Sequence, residues 1–306
     1  MAVFQASVVQ ASPAFFDKAK TLQRIGDLIR DCGSNRSSLI LFPEVIIPGY
    51  PRGLTFGTNI GGRTAEGRDM FLKYWENSIE VPGPETQQIA TWAKAAKAYV
   101  VVGVTEKDRV SDTLYCSLLY FSPDGQLIHC HRKIKPTADE RIIWGEGDGS
   151  DLQVIETELG RIGGLICWEN YMPSARMALY EQGIELYLAP TADCRDTWQA
   201  TLTHIACESR CFVLGCNQYL TADQYPEEYQ KLLLTTNNGL PSSGGSVIIN
   251  PLGKVLAGPL FGKEGIVSAE IDTRDIVRAK MDFDVIGHYA RTDVFSFSWN
   301  KKPDKS

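Results

Sequence analysis

No stretch of this sequence approaches the roughly 18 consecutive apolar residues that a membrane helix needs, so no membrane span is expected. No long run of Lys or Arg occurs either. With 31 basic against 37 acidic residues the formal net charge is -6, a poor match for nucleic acid or an anionic membrane surface. The opening Met1-Ala2-Val3-Phe4-Gln5 lacks the basic segment and apolar stretch of a secretory signal. It reads as a first core strand, and a cytoplasmic protein is expected. Linkers, low-complexity blocks and sequence repeats are missing, as are the paired-cysteine spacings of structural zinc sites. The 8 cysteines (Cys32, Cys116, Cys130, Cys167, Cys194, Cys207, Cys211 and Cys216) are scattered. Without a signal sequence they predict reduced, mostly buried thiols, not a disulfide framework.

What is present is 43% apolar residues over 306 positions, enough for one sizeable core. Val3–Val9, Leu39–Phe42 and Tyr99–Val104 are short apolar runs that predict buried strands. Helical spacing over Ala14–Arg30 and Pro84–Ala98 places helices between them. Leu118–Ser122 and Gln126–Cys130 flank Pro123-Asp124-Gly125 and predict a hairpin. Arg161–Cys167, Ile184–Ala189 and Cys211–Asn217 read as strands, with helices over Pro173–Gln182 and Arg195–Arg210. Gly183 is the expected stop of the first of these helices. A second hairpin spans Gly245–Ile249 and Lys254–Ala257, and Gly265–Ile271 follows as a strand. Tyr225–Pro241 is polar and turn-rich, and an exposed loop is expected there. Alternating helices and strands, with hairpins among them, predict mixed sheets covered by helices.

Three segments carry chemistry. Cys167 ends a predicted buried strand, in Gly163-Gly164-Leu165-Ile166-Cys167-Trp168-Glu169-Asn170. A thiol so placed is held rigidly, reaches a cleft, and has backbone N–H groups after it to face developing negative charge. Taken alone it is as well explained as one more buried core cysteine. Glu44 ends the strand Leu39–Phe42; near a thiol in a dry pocket its pKa would rise and suit a general base. His131-Arg132-Lys133-Ile134-Lys135 follows the hairpin and brings two lysines. One of them could turn inward to pair with the carboxylate and stabilise anionic intermediates, or both could lie on a basic surface loop.

Together these segments resemble the nitrilase superfamily of carbon–nitrogen hydrolases, whose members share a Glu–Lys–Cys triad on a four-layer α-β-β-α sandwich. The resemblance falls on Phe42-Pro43-Glu44, Arg132-Lys133 and Cys167-Trp168-Glu169, and so selects Lys133 and not Lys135. Pro136-Thr137, Glu140-Arg141, Trp144-Gly145 and Gly147-Asp148-Gly149-Ser150 are similar to the nitrilase branch itself. Gly49-Tyr50-Pro51-Arg52-Gly53, Ala189-Pro190-Thr191-Ala192-Asp193 and Gly287-His288-Tyr289-Ala290-Arg291 are similar to plant nitrilases and their bacterial relatives. The match covers about Val3 to Asp293. It implies a single hydrolase domain over 1–306 with a short tail from about 294, shorter than many nitrilases carry.

The resemblance further implies Glu140 as a fourth member of the site, positioning the lysine and the substrate or water. It implies a small-molecule nitrile as substrate, no metal or organic cofactor, and homodimers that stack into larger, often spiral, oligomers. Tyr50, Trp168, Tyr171 and Thr191 are expected at the substrate pocket, and Glu169 is expected to be a structural acceptor. An amidase or carbamoylase with the same triad is the nearest rival. His204, Cys207 and Cys211 have helix-compatible spacing for a metal site, though core packing explains the same pattern. A non-catalytic interaction protein is the remaining class. His129 and His131 alternate around Cys130, and a structural role is expected for them.

Overall fold

The computed structural model describes residues 1–233 and 239–301. Two sheets carry the chain. The first runs, in spatial order, Gly265–Asp272, Val3–Gln10, Ser37–Leu41, Tyr99–Lys107, Leu114–Phe121 and Leu127–Arg132. The second runs Tyr219–Leu220, Ser242–Ile249, Phe212–Asn217, Leu186–Thr191, Gly160–Gly164 and Ile155–Thr157, with Val255–Phe261 also paired to Ser242–Ile249. Both are mixed. Val3–Gln10 is parallel to Ser37–Leu41 and antiparallel to Gly265–Asp272. Leu186–Thr191 is parallel to both of its neighbours, and Phe212–Asn217 is antiparallel to Ser242–Ile249.

The layering follows from the two-residue period of a strand. In the first sheet Val8, Leu39, Leu41, Val101 and Leu118 share one apolar cluster with Leu186, Leu188, Phe212, Leu214 and Ile248 of the second. Their immediate neighbours point the other way. Val9, Ile40, Phe42, Val100, Val102 and Leu119 pack with Leu22, Ile25, Ile29, Ile89 and Ala93, from the helices Lys18–Ser34 and Pro84–Ala96. Tyr187, Ala189, Val213, Val247 and Ile249 pack with Ala178, Leu179, Trp198, Leu202 and Ile205, from the helices Pro173–Tyr180 and Asp196–Ser209. The three apolar layers separate four layers of structure, α-β-β-α, the architecture expected from the motifs.

Several boundaries differ from the sequence reading. The first helix begins at Lys18, not Ala14, because Asp17 caps it by accepting the Lys20 N–H at 2.9 Å. The helix Ala65–Glu76 was not expected; among its residues only Gly67 and Tyr74 are buried, so it shows little apolar stripe. The helix expected over Pro173–Gln182 ends at Tyr180, and Gly183, with φ +71° and its N–H on the Tyr180 carbonyl, closes the turn that follows. The strand before the thiol ends at Gly164, and Cys167 opens a 3-10 turn, Cys167–Tyr171. In the expected loop 225–241, Tyr225 and Tyr229 are buried and Glu227–Gln230 is a helical turn; residues 234–238 lie outside the described part. Among the described residues no helix is long and apolar enough to cross a membrane.

Candidate active site

Glu44, Lys133, Glu140 and Cys167 meet at one end of the sandwich. Glu44 stands three residues beyond the strand Ser37–Leu41, and Lys133 directly follows Leu127–Arg132, both of the first sheet. Cys167 and Thr191 come from the second, after Gly160–Gly164 and at the end of Leu186–Thr191. Lys133 is wholly buried, its Nζ 2.7 Å from Glu44 Oε1 and 2.8 Å from Glu140 Oε2. Glu44 Oε2 accepts the Ala192 N–H at 2.8 Å, and its Oε1 accepts the Cys116 thiol at 3.6 Å. The Thr191 hydroxyl lies 3.2 Å from the Cys167 sulfur. Glu140 is held by the Thr137 N–H at 2.7 Å and the Tyr50 hydroxyl at 2.6 Å.

The backbone is strained at Cys167 and next to Glu44. Cys167 has φ +51°, and Val45, next to Glu44, has φ +46°. Such conformations cost a non-glycine residue about 1–3 kcal/mol and persist only where the surroundings impose them. Here the surroundings do. Asn170 Nδ2 donates to the carbonyls of Leu165 at 2.9 Å and Cys167 at 2.8 Å, while its own Oδ1 accepts from Tyr187. On the other side, Gln218 Nε2 donates to the carbonyls of Glu44 at 2.8 Å and Val45 at 3.0 Å.

The electrostatics match a charged pair in a dry site. Burial raises the Glu44 carboxyl above its usual range, with the Lys133 ammonium opposing and Glu140 adding to the rise. Burial alone would lower Lys133, but Glu44 foremost, with Cys167 and Glu140, holds it well above the ordinary lysine value. Burial, and then the Glu44 charge, push the Cys167 thiol up. Both effects favour the thiol over the thiolate, so attack by this sulfur would need a neighbouring base to take its proton.

A cleft of about 700 Å³ opens over the sulfur, lined by Cys167, Glu140, Tyr50, Trp168, Arg52 and Asp193 among others. Trp168 is fixed by its indole N–H on Asp193 Oδ2 at 2.8 Å and by the Arg195 guanidinium 4.8 Å above its ring. Thr191 meets the sulfur but does not line the cleft, and neither does Tyr171, whose ring packs against Trp168 and Trp198. Lys135 is exposed and paired with Glu146. His204, Cys207 and Cys211 do not converge: His204 is exposed beside Glu208, and Cys211 is buried against Ser209. Among the described residues no cluster of three or more His, Cys, Asp or Glu could hold a metal.

A family model described as carbon-nitrogen hydrolase matches residues 5–281. The chain belongs to the carbon–nitrogen hydrolase family. This carbon–nitrogen hydrolase is 51% identical to a bifunctional nitrilase/nitrile hydratase of Nicotiana tabacum, over 95% of the chain and 84% of the relative. It is 48% identical to an aliphatic nitrilase of Sinorhizobium fredii, over 99% of the chain and 97% of the relative. The crystal structure of Nit3 of Saccharomyces cerevisiae, a nitrilase-superfamily member, shares the fold with a TM-score of 0.74 at 23% identity, covering 94% of this chain and 96% of that one.

Reading the sequence alone missed Asn170 and Gln218 as parts of the site. Asn170 lies inside the quoted cysteine segment, where an amide three residues after the nucleophile is the available signal. Gln218 lies 174 residues from Glu44 and has none.

Proposed function

We propose that this hydrolase is a nitrilase, converting an organic nitrile to the carboxylic acid and ammonia through covalent intermediates on Cys167. One observation carries the reading: a buried ammonium is held between two carboxylates, one of which, Glu140, lines the same cleft as the buried Cys167 thiol, in a chain about half identical to proteins named nitrilases. An amidase would use the same four groups, and those relatives' names favour the nitrile.

Glu44 takes the thiol proton as the Cys167 sulfur adds to the nitrile carbon. Lys133 gives a proton to the nitrogen as negative charge gathers there, and a thioimidate results. Glu44 passes the thiol proton to Lys133, 2.7 Å away, which restores both the carboxylate and the ammonium. Glu44 then removes a proton from a water molecule that attacks the same carbon and returns it towards the nitrogen, forming a tetrahedral intermediate. Expulsion of ammonia leaves a thioester, and a second water releases the acid and restores the thiol. Two waters are consumed for each nitrile. Expulsion of the sulfur instead of ammonia at the tetrahedral stage gives the amide. The Lys133 ammonium, already fixed between two carboxylates, needs no rearrangement to meet the developing charge; a donor so placed supplies about 3–4 kcal/mol. Glu140 holds Lys133 together with Glu44, and Tyr50 and Trp168 form cleft walls for the substrate. Thr191 orients the sulfur, and Tyr171 supports Trp168.

The same reading includes a single hydrolase unit working as a homodimer or larger homo-oligomer. Exposed Val277, Met281, Tyr289 and Phe295, grouped toward the end of the described chain, support a partner surface. Eight free cysteines support a reducing, cytoplasmic setting. A panel of aliphatic, aromatic and arylaceto nitriles, run against the matching amides with acid, amide and ammonia measured separately, tests the function. Turnover of nitriles by the parent and none by Cys167→Ala is the expected result. Turnover of amides alone, or by Cys167→Ala, refutes it.

A further inference from the structure

His131 takes no part in the steps above, yet it is 2% exposed and its two ring nitrogens each face a carboxylate. Nδ1 lies 2.8 Å from Asp151 Oδ1 and Nε2 lies 3.1 Å from Glu169 Oε2. Carboxylates only accept, and a neutral imidazole carries one N–H. Both contacts are satisfied together only by the imidazolium. The surroundings agree: burial opposes the charge, but Glu169 and Asp151 outweigh it and raise the His131 pKa to about 10.

The two carboxylates reach further. Glu169 Oε1 accepts the N–H of Ile134 at 2.6 Å, and its Oε2 accepts the N–H of Ile166 at 2.7 Å. Asp151 Oδ2 accepts the N–H of Arg132 at 2.8 Å. Arg132 and Ile134 flank Lys133, and Ile166 precedes Cys167. One buried cation therefore gathers the backbone on both sides of the lysine and the backbone entering the cysteine turn. The first belongs to the edge of one sheet, and the second to the other sheet.

We infer that His131, Asp151 and Glu169 form a positioning unit that sets the Lys133 ammonium against the Cys167 sulfur, and so governs the rate of reaction more than the affinity for substrate. This inference rests on the nitrilase reading for its substrate. His131 touches no reacting atom; it acts through Glu169 and Asp151.

Two substitutions separate the halves of the unit. His131→Asn leaves a donor near the place of Nδ1, facing Asp151, and gives up Glu169. His131→Gln leaves a donor near the place of Nε2, facing Glu169. Full-length parent and variants are compared on a nitrile, with folding followed by circular dichroism. For His131→Asn kcat should fall about 10- to 100-fold, the scale of a displacement of about 1 Å at a reacting group, with KM unchanged; His131→Gln should recover part of the loss. Parental kcat in folded His131→Asn, whatever its melting temperature, overturns the inference, as does a loss confined to KM. If His131→Asn does not fold, Asp151→Asn, at a half-buried position, reads the same quantity: lowered kcat supports the unit and parental kcat refutes it. The rate of Cys167 alkylation by iodoacetamide, located by mass spectrometry, needs no nitrile and should slow in the same order. A parent that turns over no nitrile refutes the nitrilase reading, whereas an active parent with equally active, equally alkylated variants refutes this one.

Discussion

Lys133 has no contact with solvent, and its ammonium is shared between two carboxylates. Lys133→Ala leaves Glu44 and Glu140 buried without their common cation, a loss of about 3–5 kcal/mol for a broken buried pair. Activity should fall as well, by about 100- to 1,000-fold for a lost charge-stabilising donor. Lys135, two residues on, holds Glu146 at the surface. Lys135→Ala should stay within about 0.5 kcal/mol of the parent and keep its kcat. Ammonia release and urea unfolding of the two variants make the comparison, and equal effects would mean that the wrong lysine has been assigned. The contrast is one of environment: the two side chains have the same chemistry, and only the inward one meets opposite charge without water to screen it.

The approach of elements places Glu44 as much as its own strand does. The backbone of Pro43–Val45 lies directly on Gly103 of the strand Tyr99–Lys107. A Cβ at that glycine would stand 2.3 Å from the Pro43 carbonyl oxygen and 2.8 Å from the Glu44 Cα. Gly103→Ala should therefore push the base away from the thiol, lowering kcat about 10- to 100-fold while the far-UV circular dichroism stays parental. An unchanged kcat would show that the base tolerates the shift. This contact also marks where sequence reasoning stops. Leu39-Ile40-Leu41-Phe42 and Val100-Val101-Val102 were legible as buried strands because continuous apolar runs serve sheets covered on both faces. The four layers themselves were legible through the family resemblance and not through the runs. Glu44, Lys133 and Cys167 stood out as residues at strand ends, but nothing local told which lysine turned inward. Gln218 bracing Glu44, and Asp151 and Glu169 closing on His131, are contacts between segments distant in the chain. No spacing rule reaches them, since the fold and not the local period brings them together.

At the scale of the molecule, the site straddles the boundary between two sheets. Glu44 and Lys133 belong to one, Cys167 and Thr191 to the other. The layer that joins the sheets is built of side chains such as Leu41, Val101, Leu188 and Leu214. Apolar packing of this kind is strong but non-directional. Directional ties across it near the site are made by single polar groups, among them the Ala192 N–H on Glu44, the Gln218 amide on the Glu44 and Val45 carbonyls, Glu169 on the Ile134 N–H, and the Cys216 thiol on the Leu41 carbonyl at 3.3 Å. Turnover is thus a strain gauge for the seam. A slip of one sheet over the other, too small to change secondary structure, parts Glu44 from Cys167. In a urea titration, hydrolysis should fail at lower denaturant than the far-UV signal, and coincident midpoints would mean that the sheets separate and unfold as one. A protein made this way has its working limit set by the grip between its layers before the stability of either.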